Sequence, residues 1–172
     1  TGAGAAGVDG ASWGDDGTIV FARGNTGGLW RVSASGGEPQ ELTKLQPKEN
    51  HHAWPEILPG GRAVLFTILS GGVESAQIAV FDFETGRHPM LIPGGTYPRY
   101  VSTGHLVYVA GGTLFATPFD LRRLEVTGPA VPVIEGVLAK GTGAADFAVA
   151  GNGTLVYHPG GGGFVVRRTL VW

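Results

Sequence analysis

The sequence has no cysteine, and only 15% of its residues are charged. The missing cysteines exclude disulfide staples and cysteine-ligated zinc, but they do not indicate a cellular compartment. The 12 lysines and arginines are spread along a chain of net charge −2, so the basic stripe that a phosphate backbone requires is absent. Nucleic acid is therefore not an expected partner.

Long hydrophobic runs are also missing. No apolar stretch approaches the roughly 20 residues that a transmembrane helix needs, so we expect no membrane span in this chain. The first ten residues, "TGAGAAGVDG", carry neither a charged n-region nor a hydrophobic core, and we expect residues 1–10 to form a flexible N-terminal segment.

Glycine and proline, in contrast, are abundant. The chain has 31 glycines and 11 prolines in 172 residues, yet 42% of its residues are hydrophobic. Disordered, low-complexity chains lack such an apolar fraction. The composition therefore favours many short strands joined by tight turns.

A unit of about 43 residues recurs along the chain. Four glycines precede similar apolar runs at spacings of 44, 43 and 49 residues, and they are Gly17, Gly61, Gly104 and Gly153. Four residues before each glycine is a large apolar residue: Trp13, Ile57, Tyr100 or Val149. The runs themselves, such as "TIVFA" and "AVLFTI", are rich in the β-branched and aromatic residues that favour strands. We call these glycines the marker glycines.

After each marker, the unit continues with an apolar strand, a glycine-containing turn, a second strand and a short extended tail. No window has apolar residues at the helical spacing of i, i+3, i+4 and i+7, so the chain is predicted to be all-β. Four strands in about 43 residues match one blade of a β-propeller. We predict a partial β-propeller of about 3.5 four-stranded antiparallel blades over residues 11–172, at about 11–50, 51–94, 95–140 and 141–172, the last incomplete.

The two best-preserved copies, "SWGDDGTIVFA…GGLWRVSASGGEPQELT" and "WPEILPGGRAVLFTI…AQIAVFDFETGRHPMLI", resemble the TolB-type WD40-like repeat, often called PD40. Their sequence pattern is similar to that of the C-terminal propeller regions of bacterial serine/threonine kinases. That family usually has Ser-Pro-Asp-Gly before the strand, whereas only the glycine persists here. The resemblance implies a propeller module that binds or senses a protein or small ligand at the propeller mouth, and it favours a periplasmic or extracellular location.

An incomplete ring leaves a blade face and a strand edge uncovered. We therefore expect the chain to be a fragment of a larger multidomain protein, and to form a homodimer or another homo-oligomer that completes the ring.

Five residues are candidates for ligand binding. Trp54 and Tyr97 each precede a proline at the same place in successive copies, where they either line a central surface or pack between blades. His51 and His52 lie where the second blade begins, but adjacent residues of an extended chain point in different directions, so no metal site is predicted there. Asp146 opens the fourth copy, and its strand should approach the channel.

No catalytic motif accompanies these residues. The Gly-x-Ser-x-Gly motif is absent, and the "PGGGG" at 159–163 precedes a strand-like run, which favours a hairpin tip over a phosphate loop. We therefore favour a non-catalytic binding or sensing module without cofactors. Two alternatives stay open: the accessory propeller of a prolyl-peptidase-like hydrolase whose catalytic domain is elsewhere, and a weak metal-dependent enzyme assembled across an oligomer.

Overall fold

A computed structural model describes residues 9–160 of the chain. The fold is all-β, with 50% of residues in strands and 2% in helix, which confirms the predicted class. The one helix in the described range is a short 3-10 turn at Val73–Ser75. None of the described helices is long and apolar enough to cross a bilayer.

The first two sheets each contain four antiparallel strands in sequential order. Blade 1 consists of β1 (Ala11–Trp13), β2 (Thr18–Ala22), β3 (Leu29–Ser33) and β4 (Gln40–Glu41). Blade 2 consists of β5 (His51–Ile57), β6 (Ala63–Leu69), β7 (Gln77–Asp82) and β8 (Met90–Ile92). All four marker glycines have positive φ angles between 70° and 86°, which glycine adopts without steric cost. The repeat therefore begins each time with the same left-handed turn.

Blade 3 differs from the predicted pattern at its outer edge. Its first three strands are β9 (Thr96–Val101), β10 (His105–Ala110) and β11 (Thr113–Asp120). The tail expected as one extended segment is divided into β12 (Glu125–Val126) and β13 (Val131–Ile134), which pair with opposite ends of β11. Between them the chain leaves the regular ladder beside Pro118, which has no N–H to donate, but it stays attached to β11: the N–H of Thr127 donates to the carbonyl of Pro118, at 2.9 Å.

Blade 4 contains the hairpin of β14 (Phe147–Val149) and β15 (Leu155–Tyr157) within the described residues. The second strand predicted for this copy, "RRTLVW", lies outside the described residues. The same is true of most of the predicted flexible segment 1–10 and of most of the 159–163 hairpin tip.

The hydrophobic core lies between the blades. The face of blade 2 that carries Phe66 packs against Val20 and Leu29 of blade 1, and its other face, with Leu65, packs against Leu106 of blade 3. A third cluster joins blade 3 to blade 4. Each sheet thus buries at least one apolar face against a neighbouring sheet, as expected of blades that cannot form a core alone.

We call the first strand of each blade its inner strand. A similar hydrogen bond joins the inner strands of blades 1 and 2 and those of blades 2 and 3. The hydroxyl of Ser12 in β1 accepts a bond from the backbone N–H of Ile57 in β5, at 2.9 Å. The carboxylate of Glu56 in β5 likewise accepts one from the N–H of Tyr100 in β9, at 2.7 Å. In both cases the acceptor residue lies five positions before the marker glycine of its own blade. The donor residue lies four positions before the marker glycine of the following blade.

Candidate functional site

Trp54 and Tyr97 occupy equivalent positions on the inner strands, seven residues before their marker glycines. Their φ angles are 54° and 58°, a left-handed conformation that is uncommon for residues other than glycine. The equivalent residue of blade 1 is Gly10, with a φ of 98°. The following proline disfavours the right-handed helical region for both aromatic residues. The pairing of β5 with β6 and of β9 with β10 shifts register at this point, so both strands carry a bulge here.

The bulges place the aromatic rings in one row across the blades. The ring centroids of Trp54 and Tyr97 are 5.5 Å apart, and those of Tyr97 and Phe147 are also 5.5 Å apart. The indole N–H of Trp54 donates to the carbonyl of Thr142, at 2.9 Å. The structure thus brings the two predicted aromatic residues together, both half-buried and both in contacts between blades. Their role in ligand binding stays a prediction.

An ion pair supports this row. Arg99 contacts Glu56 at 3.2 Å, and its guanidinium carbon lies 3.9 Å from the ring centroid of Tyr97, in range of a cation–π interaction. Burial raises the pKa of Glu56, although the charge of Arg99 and the bond from Tyr100 oppose that change. The carboxylate therefore carries an appreciable desolvation cost.

His51 points away from its neighbour His52. Its Nε2 lies 3.2 Å from Asp9 Oδ2, and its Nδ1 lies 3.3 Å from the carbonyl oxygen of Gly27. The side chain is almost completely buried, so His51 joins blade 1 to the start of blade 2. Whether it also contacts a ligand stays a prediction.

His52 is fully buried and holds the connection between blades 1 and 2. Its Nε2 lies 3.0 Å from Glu49 Oε2 and its Nδ1 lies 2.7 Å from Thr43 Oγ1. Burial lowers the pKa of His52, with the hydrogen bond to Glu49 acting in the opposite direction. A neutral imidazole therefore donates from Nε2 to Glu49 and accepts at Nδ1 from the Thr43 hydroxyl. That hydroxyl in turn accepts the N–H of Leu29 at 2.8 Å.

A third side chain, which sequence reasoning did not identify, lies close to this pair. It is His88, in the turn before β8. One ring nitrogen of His88, one ring nitrogen of His52 and one carboxylate oxygen of Glu49 all lie within 4.8 Å of one another. The separation of 36 residues between the two histidines matches no short metal motif. The successive pairing of β5, β6, β7 and β8 brings them together.

Asp146 precedes β14 and forms an ion pair with Lys140, at 2.7 Å. The hydrogen bond that Lys140 donates to Asp146, together with the negative charge of Asp146, raises the pKa of Lys140. Both side chains are partly exposed, and the pair closes the loop that leads into blade 4. A role for Asp146 in ligand binding stays a prediction.

A cleft of about 340 Å³ opens beside Lys140, where blades 2 and 3 meet the connection to blade 4. Its volume falls at the lower end of the range typical of ligand pockets. Five glycines, several small apolar residues and two charged side chains line it: Val73, Glu74, Gly94, Gly95, Thr96, Val109, Ala110, Gly111, Gly112, Ala139, Lys140 and Gly141. At Gly95 a Cβ atom would collide with the ring of Tyr108, so only glycine fits there.

These features define a β-propeller module. No protein-family model matches the sequence, and no curated protein matches it. Solved structures do match: TolB from Acinetobacter baumannii has a TM-score of 0.63 at 18% identity, over 91% of this chain and 39% of that one. Regucalcin from Agrobacterium tumefaciens, a calcium-binding protein, has a TM-score of 0.61 at 15% identity, over 87% of this chain and 52% of that one.

An oligogalacturonate lyase from Vibrio parahaemolyticus has a TM-score of 0.57 at 14% identity, over 84% of this chain and 43% of that one. The chain has a TolB-like propeller fold, as its repeat indicated. It spans between about a third and a little over half of the length of the solved chains it matches. At these identities the similarity establishes the fold alone.

Proposed function

We propose that the chain is a non-catalytic propeller module that binds an extended protein segment in the cleft beside Lys140. The observation that supports this best is the lining of the cleft, which combines glycine backbone with small apolar side chains and includes no aromatic residue. Such a surface lets the backbone of a bound segment approach closely.

Charges at the cleft favour a particular kind of segment. Glu74 is exposed and has no ion pair among the described residues, whereas the charge of Lys140 is already balanced by Asp146. The cleft therefore suits a peptide with small apolar residues in its centre and a positive charge at the end near Glu74. A few well-placed polar groups around an apolar centre are typical of binding pockets. The proposed ligand is therefore a peptide or protein loop of this composition.

Phage display of a random peptide library against the purified chain tests the proposal. Peptides that are enriched should then bind in solution, and the variant Ala139→Trp should weaken them at least tenfold because its indole fills the cleft. Ala130→Trp is the matched control, since Ala130 is equally exposed but lies outside the cleft. Failure to enrich any peptide, or equal binding by Ala139→Trp and wild type, contradicts the proposal.

We also propose that the chain acts within a larger bacterial assembly in which a second copy completes the ring. The outer face of blade 1 supports this, because strand alternation places Ile19, Phe21, Trp30 and Val32 opposite the buried face, and all four stay partly exposed. On blade 4, Val156 is 40% exposed. Such apolar faces favour association.

Sedimentation velocity across a range of concentrations tests this assembly. We expect a dimer or larger oligomer, and Trp30→Glu should dissociate it. Met90→Glu, at an exposed position on the outer edge of blade 2, should leave it intact. A monomer at all concentrations contradicts the proposal.

A further inference from the structure

We propose that Glu49, His52 and His88 form a binding site for a divalent transition metal ion of the zinc class. Two imidazoles and one carboxylate are a ligand set that Zn²⁺ accepts in proteins. The three ligand atoms lie within 4.8 Å of one another, so a shift of the half-buried His88 side chain brings them to a common ion.

The surroundings of His52 suit a metal ligand. A histidine that binds a metal through Nε2 carries its proton on Nδ1 and donates it to an oxygen. Thr43 Oγ1 lies 2.7 Å from that Nδ1 and is a hydroxyl with two lone pairs, one of which accepts the N–H of Leu29. The second lone pair accepts the Nδ1 proton once the hydroxyl hydrogen turns away. The fixed end of the ligand set is therefore already oriented.

His88 supplies the adjustable end. The side-chain amide nitrogen of Gln46 is 3.0 Å from His88 Nε2, and since an amide NH₂ only donates, the lone pair of Nε2 is the acceptor of this bond and can bind a metal in its place. Gln46 is exposed and can move aside. The carboxylate of Glu49 is held between His52 and the backbone N–H of Gln46, at 3.0 and 2.6 Å.

The site has an apolar wall on one side and solvent access on the other. The ring of Phe66 lies 4.7 Å from that of His52 and 5.9 Å from that of His88, which shields the ligands from water. His88 and Gln46 also line a groove of about 850 Å³ at the outer edge of blade 2, through which an ion can reach the cluster. Access and a dry wall are both features of protein metal sites.

A bound ion would connect three segments of blade 2. Glu49 belongs to the link from blade 1, His52 to the inner strand and His88 to the turn before the outer strand. The inference does not depend on the proposed peptide cleft, because none of the three ligands lines it.

Isothermal titration of chelator-treated protein with ZnCl₂ tests the site. We expect one Zn²⁺ per chain and no comparable binding of Mg²⁺ or Ca²⁺, because hard cations prefer oxygen ligands. His88→Ala and Glu49→Gln should each weaken Zn²⁺ binding by tenfold or more. The second variant keeps an acceptor for His52, so its fold is preserved.

His105→Ala is the matched control, since His105 is half-buried and, among the described residues, its ring forms hydrogen bonds only with Thr103. Its Zn²⁺ affinity should equal that of the wild type. The visible absorption of a Co²⁺ complex should also disappear in His88→Ala and persist in His105→Ala. Absence of stoichiometric Zn²⁺ binding, or equal affinity in all four proteins, overturns the proposal.

Discussion

The hydrogen bond from Tyr100 to Glu56 gives a sharp test of how the blades are held together. In Glu56→Ala, the N–H of Tyr100 loses its acceptor in a partly buried position between blades 2 and 3. An unsatisfied buried donor costs about 1–3 kcal/mol. Arg99 still contacts the carbonyl of Pro98 and the ring of Tyr97, so the lost ion pair adds little.

Glu56→Gln separates the two contributions. The glutamine oxygen still accepts from Tyr100 while the negative charge is lost, and a partly exposed ion pair is worth about 0.2–1 kcal/mol. We therefore expect Glu56→Gln to lower the free energy of unfolding by less than about 1 kcal/mol, and Glu56→Ala to lower it by about 2 kcal/mol.

Urea denaturation followed by tryptophan fluorescence measures both changes. With a slope of about 2 kcal/mol per molar urea, a loss of about 2 kcal/mol moves the midpoint by about 1 M. Equal losses in the two variants would show that the charge, and not the acceptor, holds the blades together. A loss below about 0.5 kcal/mol in Glu56→Ala would refute the reasoning altogether.

Three further outcomes follow from the packing and charges. Phe66→Ala should lower the free energy of unfolding by about 3–5 kcal/mol in the same urea assay, because the ring is fully buried between blades 1 and 2; a loss below about 1 kcal/mol would contradict that burial. Gly28→Ala should prevent stable folding in thermal denaturation, since its Cβ would collide with the carbonyl of Thr43, whereas Gly36→Ala, in an open exposed turn with positive φ, should cost about 1 kcal/mol. Burial raises the pKa of Glu56 above its ordinary value of 4.5, so its proton stabilises the native state at low pH and that stabilisation is lost as pH rises through the raised pKa; wild type should lose stability relative to Glu56→Gln as pH increases above about 4.5, and an unchanging difference would contradict the shift.

The repeat made the architecture predictable from sequence. Each marker glycine, such as Gly17 and Gly61, introduces a left-handed turn followed by a β-branched run. Both features follow from the local conformational preferences of these residue types, which can be read directly from the sequence. The divided outer edge of blade 3 was not predicted, because the choice between one tail strand and two depends on where β11 can offer ladder partners.

The candidate site was only partly predictable. The shared aromatic-proline pairs marked Trp54 and Tyr97, but their left-handed φ angles arise from tertiary packing that overrides local preference. The glycine at the equivalent position of blade 1, Gly10, also has a positive φ, and it was a usable indication that this position favours a left-handed conformation. His88 gave no indication at all, since its proximity to His52 is created only by the pairing of strands.

The bonds from Ile57 to Ser12 and from Tyr100 to Glu56 give the first two interfaces between blades a direction. At both, the earlier blade supplies a side-chain acceptor and the later blade a backbone donor. The equivalent acceptor positions of blades 3 and 4 are Arg99 and Ala148, whose side chains cannot accept a hydrogen bond. Directional bonds therefore set the alignment of blades 1, 2 and 3, whereas blade 3 meets blade 4 through an apolar cluster, a kind of contact that has no direction of its own.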